Sequence, residues 1–192
     1  MAKILLSGAP CSGKTTLFES IPPHKSIIFI PEVARCILSE KPELKPQPNF
    51  QDYLLSEQLR LEQLAEQSQS SLIICDRGYV DVIAYSRFFG HPIDNELIFK
   101  FLPYDMIFQT STEGVMPVGE YSTESGLQER QKLDEIFHSL FGEIGIPTIE
   151  LKGPPETRLH SFLSSISNRF NIEGVNPIIE RRGFIRGREL EG

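Results

Sequence analysis

Apolar residues occur along this chain in short, dense runs separated by longer amphipathic stretches. Ile4-Leu5-Leu6 and Ile27-Ile28-Phe29-Ile30 are followed by Leu72-Ile73-Ile74-Cys75, Met106-Ile107-Phe108-Gln109 and Thr148-Ile149-Glu150-Leu151. Continuous runs of this length fit strands buried on both faces of a parallel sheet. The intervening stretches read as helices. They start near Gly13 and Lys14 and continue over about Glu32 to Leu38, Phe50 to Ser68, Tyr79 to Phe89, Asn95 to Phe101, Glu124 to Ile144 and Pro155 to Ile166. In the long helix Leu133, Ile136, Phe137, Leu140, Phe141 and Ile144 recur at the spacing of one buried face. Asn49 stands as an N-cap before the Phe50 helix, with Asp52 completing a weak capping box.

Glu40 to Pro48 holds three prolines and two lysines and reads as a loop; Thr110 to Ser122, with Gly114, Pro117 and Gly119, reads as another. Strands alternating with helices imply an α/β fold with a parallel sheet covered on both faces. The periodic pattern supports one domain over residues 1–166. Residues 167–192 form an arginine-containing tail, with five arginines after Asn168 and few periodic apolar positions.

In a sheet of this kind ligands sit beyond the carboxyl ends of the strands, and the sequence puts its most distinctive residues there. Gly8-Ala9-Pro10-Cys11-Ser12-Gly13-Lys14-Thr15 matches G-x-x-x-x-G-K-S/T in full, between a strand and a helix. Glycines let successive backbone N–H groups turn toward phosphate oxygens, and the helix start adds its positive end. Lys14 reaches β- and γ-phosphates, and the Thr15 hydroxyl can hold Mg²⁺. Thr16 continues the loop into the helix. A chance match somewhere in a chain of this length is on the order of one in a hundred. The expectation is a nucleotide triphosphate bound at Gly8 to Thr16.

Asp76-Arg77-Gly78 ends the third strand in the same crevice. There Asp76 can orient Mg²⁺ or act as base toward an acceptor hydroxyl, and Arg77 can neutralise charge on a transferring phosphoryl. The plain alternative is a strand-ending turn with a solvated ion pair. Glu32 and Arg35 follow the second strand, three apart on one helix face; they either grip an acceptor molecule or form a surface ion pair. Arg130 extends the stripe of the long helix backward, together with Leu127, just after the Gly/Pro loop. It reads either as a lid arginine over the phosphates or as an arginine snorkelling from the helix end. Gly153, in Lys152-Gly153-Pro154, frames a nucleotide base or makes an ordinary strand-to-helix turn.

Charge and composition narrow the partners. A formal net charge of −7 disfavours duplex nucleic acid, which requires a basic surface. No apolar run approaches the roughly 20 residues that span a bilayer, and the run before Gly8 is too short for a signal peptide core, so a cytoplasmic protein without a membrane partner is expected. Cys11, Cys36 and Cys75 have no metal-ligand spacing and read as reduced thiols. Cys11 is either a small loop filler or redox-sensitive beside a helix N-terminus. The four histidines show no ligand pattern.

The strings GAPCSGKTT, PEVAR and CDRGYVDVIAYSRFFG together resemble the stand-alone NadR-like P-loop ATPase/kinase domains, related to the ribosylnicotinamide kinase portion of NadR and more distantly to deoxynucleoside and thymidylate kinases. The resemblance covers about residues 1–166. It implies a three-layer α/β/α P-loop NTPase fold with five parallel strands in the order 2-3-1-4-5. It also implies ATP–Mg²⁺ as phosphoryl donor, a lid between the fourth strand and the long helix, and a small-molecule acceptor over the second-strand and third-strand loops. Asp76 becomes the base or Mg²⁺ partner, Glu32 an acceptor-site carboxylate and Arg130 the lid arginine. The lid stretch Gly114 to Gly119 departs from the pattern in having no arginine of its own.

The expected function is a kinase moving the ATP γ-phosphoryl to the hydroxyl of a nucleoside-like or other metabolite, in a monomer or homodimer. The alternative is an ATP/GTP switch or hydrolase without an acceptor, although the guanine-reading N-K-x-D sequence is absent. A polynucleotide 5′-kinase ranks last on charge.

Overall fold

The computed structural model describes residues 1–45, 49–68, 70–90 and 104–170. Five strands form one sheet: β1 (Ala2–Ser7), β2 (Ile27–Ile30), β3 (Leu72–Asp76), β4 (Met106–Thr110) and β5 (Thr148–Leu151). All neighbours pair in parallel, in the order β2-β3-β1-β4-β5. Every strand run seen in the sequence is a strand, and β3 and β4 each extend one residue beyond the apolar run to Asp76 and Thr110.

Six α-helices lie among the described residues: α1 (Lys14–Ser20), α2 (Val33–Glu40), α3 (Phe50–Glu66), α4 (Tyr79–Phe88), α5 (Glu124–Ile144) and α6 (Pro155–Phe170). None is long and apolar enough to cross a membrane. The expected helix at Asn95 to Phe101, the Gly90-His91-Pro92 break beyond Gly90, and residues 171–192 of the tail lie outside the described residues. α6 continues to Phe170 rather than stopping near Ile166.

Strand side chains alternate between faces, and two cores result. Leu5, Ile73, Cys75 and Ile107 face Leu54, Tyr79, Ile83, Leu133 and Phe137 from α3, α4 and α5. Ile4, Leu6, Ile74 and Phe108 face Leu17 of α1 and Phe162 and Ile166 of α6. The result is three layers, α/β/α, as the strand and helix pattern implies.

Two sequence expectations fail at helix starts. Asn49 precedes α3 but makes no side-chain cap bond. Its backbone, at φ −93° and ψ 11°, is not in the extended conformation from which a capping side chain reaches the first-turn N–H groups. Thr123, at φ −80° and ψ 161°, does cap α5 by accepting from Gly126 N at 3.1 Å. Leu127 does not extend the buried stripe of α5: it is 45% exposed, and the stripe begins at Leu133.

A polar knot crosses the first core. Lys3 Nζ donates to Glu62 Oε2 at 3.0 Å and also pairs with Glu66. Tyr104 Oη donates to Glu62 Oε1 at 2.5 Å and accepts from Tyr79 N at 3.0 Å, while Gln58 Nε2 donates to Glu62 Oε1 at 2.7 Å. The knot joins β1, α3, the entry to β4 and the start of α4, beneath the carboxyl-end crevice.

Candidate active site

β1 lies between β3 and β4, where the chain direction of the winding reverses and a crevice opens at the carboxyl ends. The loop from Gly8 to Gly13 fills it. Gly8 takes φ +132°, and a Cβ there would meet the Thr110 carbonyl oxygen at 2.9 Å. Cys11 and Gly13 adopt left-handed φ values of 54° and 86°. Alternating handedness of this sort turns consecutive N–H groups to one side and makes an anion-binding nest.

Lys14 opens α1 and is buried. Its Nζ donates to Gly8 O at 2.8 Å, Ala9 O at 2.6 Å and Ser12 Oγ at 3.0 Å. Burial, reinforced by the Arg77 guanidinium, pulls its pKa down to about 7. Thr15 Oγ1 donates to Asp76 Oδ2 at 3.0 Å. Asp76 Oδ1 is buried with no hydrogen-bond partner among the described residues. Burial raises the Asp76 pKa, and the Thr15 hydroxyl opposes that shift.

Arg77, at a left-handed φ of 66°, is tied at both ends of its guanidinium. Nε lies 2.9 Å from Glu32 Oε1, and Nη1 lies 2.9 Å from Asp81 Oδ1 and 3.4 Å from Gly8 O. Its other face lies over the Tyr85 ring, 5.3 Å from the centroid. Burial works against its charge, but Tyr85, Asp81, Glu32 and Asp76 outweigh it and hold the guanidinium protonated. Asp81 also accepts from Gly78 N at 3.0 Å, and burial raises its carboxyl pKa to about 6 despite Arg77 and Lys14. Glu32 Oε2 pairs with Arg35 Nη2 at 2.9 Å, and the same Nη2 reaches Thr15 Oγ1 at 3.3 Å.

Two cavities meet at this cluster. One, of about 340 Å³, is lined by Cys11 to Thr16, Arg35 and the Val115–Val118 stretch. The other, of about 410 Å³, is mostly apolar in its walls and reaches from Asp81 and Tyr85 to Phe50, Gln58 and Tyr121. Glu32 and Arg77 line both.

The structure therefore brings Gly8 to Thr16, Glu32, Arg35, Asp76 and Arg77 together. Within this group Arg35 faces only the smaller cavity, and Asp76 sits behind Thr15. Arg130 is at the rim, with all its bonds to carbonyl oxygens: Pro10 at 3.1 Å, Cys11 at 3.3 Å, Thr112 at 3.3 Å and Val115 at 3.2 Å. Gly153 is joined to the Gly8–Gly13 loop through Arg158, whose Nε donates to Gly153 O at 2.7 Å and Nη1 to Ser12 O at 2.5 Å.

Asp81 and Arg158 escaped the sequence reading, although each left a trace. Asp81 lies one helical turn after Arg77, at the spacing of an ion pair. Arg158 interrupts the stripe Arg158, Phe162, Ile166 just as Arg130 precedes its own. Among the described residues no group of three or more His, Cys, Asp or Glu could hold a metal ion, and the three cysteines are unpaired.

The chain belongs to the AAA domain family, whose model matches residues 3–158. No curated protein matches it. Among solved structures it is similar to deoxyadenosine kinase from M. mycoides in two states. The one with the products dCMP and a flexible dCDP is 12% identical, at TM-score 0.60, covering 86% of this chain and 99% of that one. The one with dATP is 14% identical, at TM-score 0.63, with the same coverage. It is also similar to the NadR protein in complex with NR, 16% identical at TM-score 0.68, covering 95% of this chain and 54% of that one, so it spans about half of NadR. These likenesses establish the fold, a three-layer α/β/α P-loop fold.

Proposed function

We propose that this member of the AAA domain family is an ATP-dependent small-molecule kinase. The smaller cavity takes the triphosphate of ATP, and the larger takes a nucleoside-like or other metabolite that offers a hydroxyl. The observation that carries the reading is that Glu32 and Arg77 line both cavities. A charged pair at that junction stands where a γ-phosphoryl leaving one site would meet an oxygen in the other. The kinases of similar fold, one of them with dATP bound, support it.

The division of labour follows from position. The loop N–H groups and Lys14 bind the phosphates, with Lys14 giving up the Gly8 and Ala9 carbonyls to do so. Arg35, from its place beside Thr15, serves the phosphate side. Glu32 orients the acceptor hydroxyl and receives its proton as the oxygen bonds to the γ-phosphorus and the bond to the β–γ bridging oxygen breaks. Arg77 balances the charge on the transferring group. Phosphoryl transfer asks little covalent chemistry of a protein, so positioning and charge are sufficient.

Mg²⁺ fits this residue set. The Thr15 hydroxyl and the orphaned buried oxygen of Asp76 offer the few oxygens that Mg²⁺ takes from protein when phosphates and water supply the rest. When bound, the ion would neutralise charge on the β- and γ-phosphate oxygens. This gives Asp76 the metal side and Glu32 the acceptor side.

Co-crystallisation with a non-hydrolysable ATP analogue and a metabolite mixture tests the assignment. Density for the γ-phosphate beside Lys14 and for an organic molecule in the larger cavity is expected. The adenine of the ATP analogue itself in the larger cavity would overturn it.

A further inference from the structure

The outer side of the phosphate loop carries an arrangement that the proposed chemistry does not use. A trans peptide group is planar, so its C=O and N–H point in opposite directions. The carbonyls of Pro10 and Cys11 accept from Arg130 Nε and Nη2. The carbonyl of Ser12 accepts from Arg158 Nη1. The opposite ends of those three peptide groups are the N–H groups of Cys11, Ser12 and Gly13. None of the three donates to another described residue. They belong to the nest that faces the smaller cavity.

Arg158 is unusual in its own right. It is 3% exposed, sits on the buried face of α6 with Phe162 and Ile166, and pairs with no carboxylate among the described residues. Its Nη2 is buried without a hydrogen-bond partner. Desolvation lowers its pKa. A buried guanidinium without a counter-charge is unfavourable, and the nearest place for an anion is the nest whose backbone it holds; a Cβ on Gly13 would lie 3.5 Å from Nη1.

We propose that Arg130 and Arg158 are positioning residues that clamp the phosphate loop from behind. They fix and polarise the Cys11, Ser12 and Gly13 N–H groups toward the nucleotide phosphates, whose charge balances Arg158. A cation at the carbonyl end of a peptide strengthens the donor at its other end. Arg130 reaches across from α5 and Arg158 from α6, so helices on opposite faces of the sheet set the aim of one loop. Arg158 also holds Gly153 O, which couples the loop after β5 to the same clamp. This inference rests on nucleotide binding at Gly8 to Thr15.

Calorimetric titration of the full chain with Mg–ATP and Mg–ADP tests it, using R158M, R158K, R130M and R130K, together with the amide resonance of Gly13 in nucleotide-free protein. R158M and R130M should each weaken both nucleotides by at least about tenfold, the scale of a hydrogen bond to a charged group. R158K, retaining charge and one donor, should recover part of the affinity. R130K should not, because a single ammonium has no planar fork with which to hold the four carbonyls that Arg130 holds. The Gly13 amide proton should move upfield in R158M and return toward its wild-type position in R158K, while β4 amides stay in place. Should R158M fail to fold, R158K and the two Arg130 variants decide. Wild-type protein that binds neither nucleotide would refute the underlying reading, and the Gly13 resonance would still judge the clamp. Wild-type affinity in the Met variants with an unmoved Gly13 amide would overturn the clamp, as would a lowered melting temperature accompanied by neither change.

Discussion

Arg77 Nε lies 2.9 Å from Glu32 Oε1, and through that contact the end of β3 is tied to the start of α2. The two residues come from different strand ends and are 45 positions apart, yet they form one wall shared by two cavities. Asp81 and Arg35 close the cluster on either side, so each charge at the junction has a partner of opposite sign.

If Glu32 receives the acceptor proton, Glu32→Gln should reduce turnover by about 10²- to 10⁴-fold, the usual contribution of a general base, while ATP affinity stays within a few-fold. Steady-state kinetics beside equilibrium binding separates the two. Lost ATP binding with unchanged turnover of bound ATP would place Glu32 on the donor side instead.

Asp76→Asn should act through the metal. Its expected effect is a rise of about 10- to 100-fold in the Mg²⁺ concentration needed for half-maximal activity, as for other groups that orient a metal ligand. A magnesium titration of activity checks this; an unchanged Mg²⁺ requirement would remove Asp76 from the metal side.

Lys14 makes binding pH-dependent. Its pKa in the empty loop is near 7, below the ordinary 10.5. Between those values the unfolded chain holds more protons than the folded one, so the stability of the free protein should rise with pH across that window. Phosphates restore the ammonium, so ATP binding above pH 7 should take up a proton, and affinity should fall by up to about tenfold per pH unit. Calorimetry in buffers of different ionisation enthalpy measures the uptake directly; none at pH 8 would contradict this account of Lys14.

The knot under the crevice governs stability. Lys3→Met leaves Glu62 charged and buried, which should cost about 3–5 kcal/mol, or roughly 6–20 °C in melting temperature for a chain of this size. Adding Glu62→Leu should recover most of it. Thermal unfolding of the single and double variants decides.

The sheet was legible because strands buried on both faces leave no choice but unbroken apolar runs, and β1 to β4 read that way. Even the edge strand β5 kept enough of the pattern in Ile149 and Leu151 to be placed. The phosphate loop was legible because its glycines answer a backbone requirement that few other residues meet. The rest depends on contacts between distant elements, which spacing does not encode. Nothing near Lys3 in the chain announces Glu62 and Tyr104, and Glu32 and Arg35, read as one pair, differ in that Glu32 lines both cavities and Arg35 only the smaller one, which shows only once β2 and β3 lie side by side. Asn49 has the composition of a cap without the backbone for it. Arg130 read as a lid arginine or a snorkelling one, and nothing in its spacing pointed to Pro10, whose carbonyl it holds from 120 residues away.

The most direct test of the whole account is the fate of the γ-phosphoryl. Protein incubated with γ-labelled ATP, Mg²⁺ and a panel of hydroxyl-bearing metabolites that includes nucleosides should transfer label to an organic product, and Glu32→Gln should not. Label released only as inorganic phosphate, at a rate no acceptor changes, would contradict a kinase and leave a nucleotide hydrolase in its place.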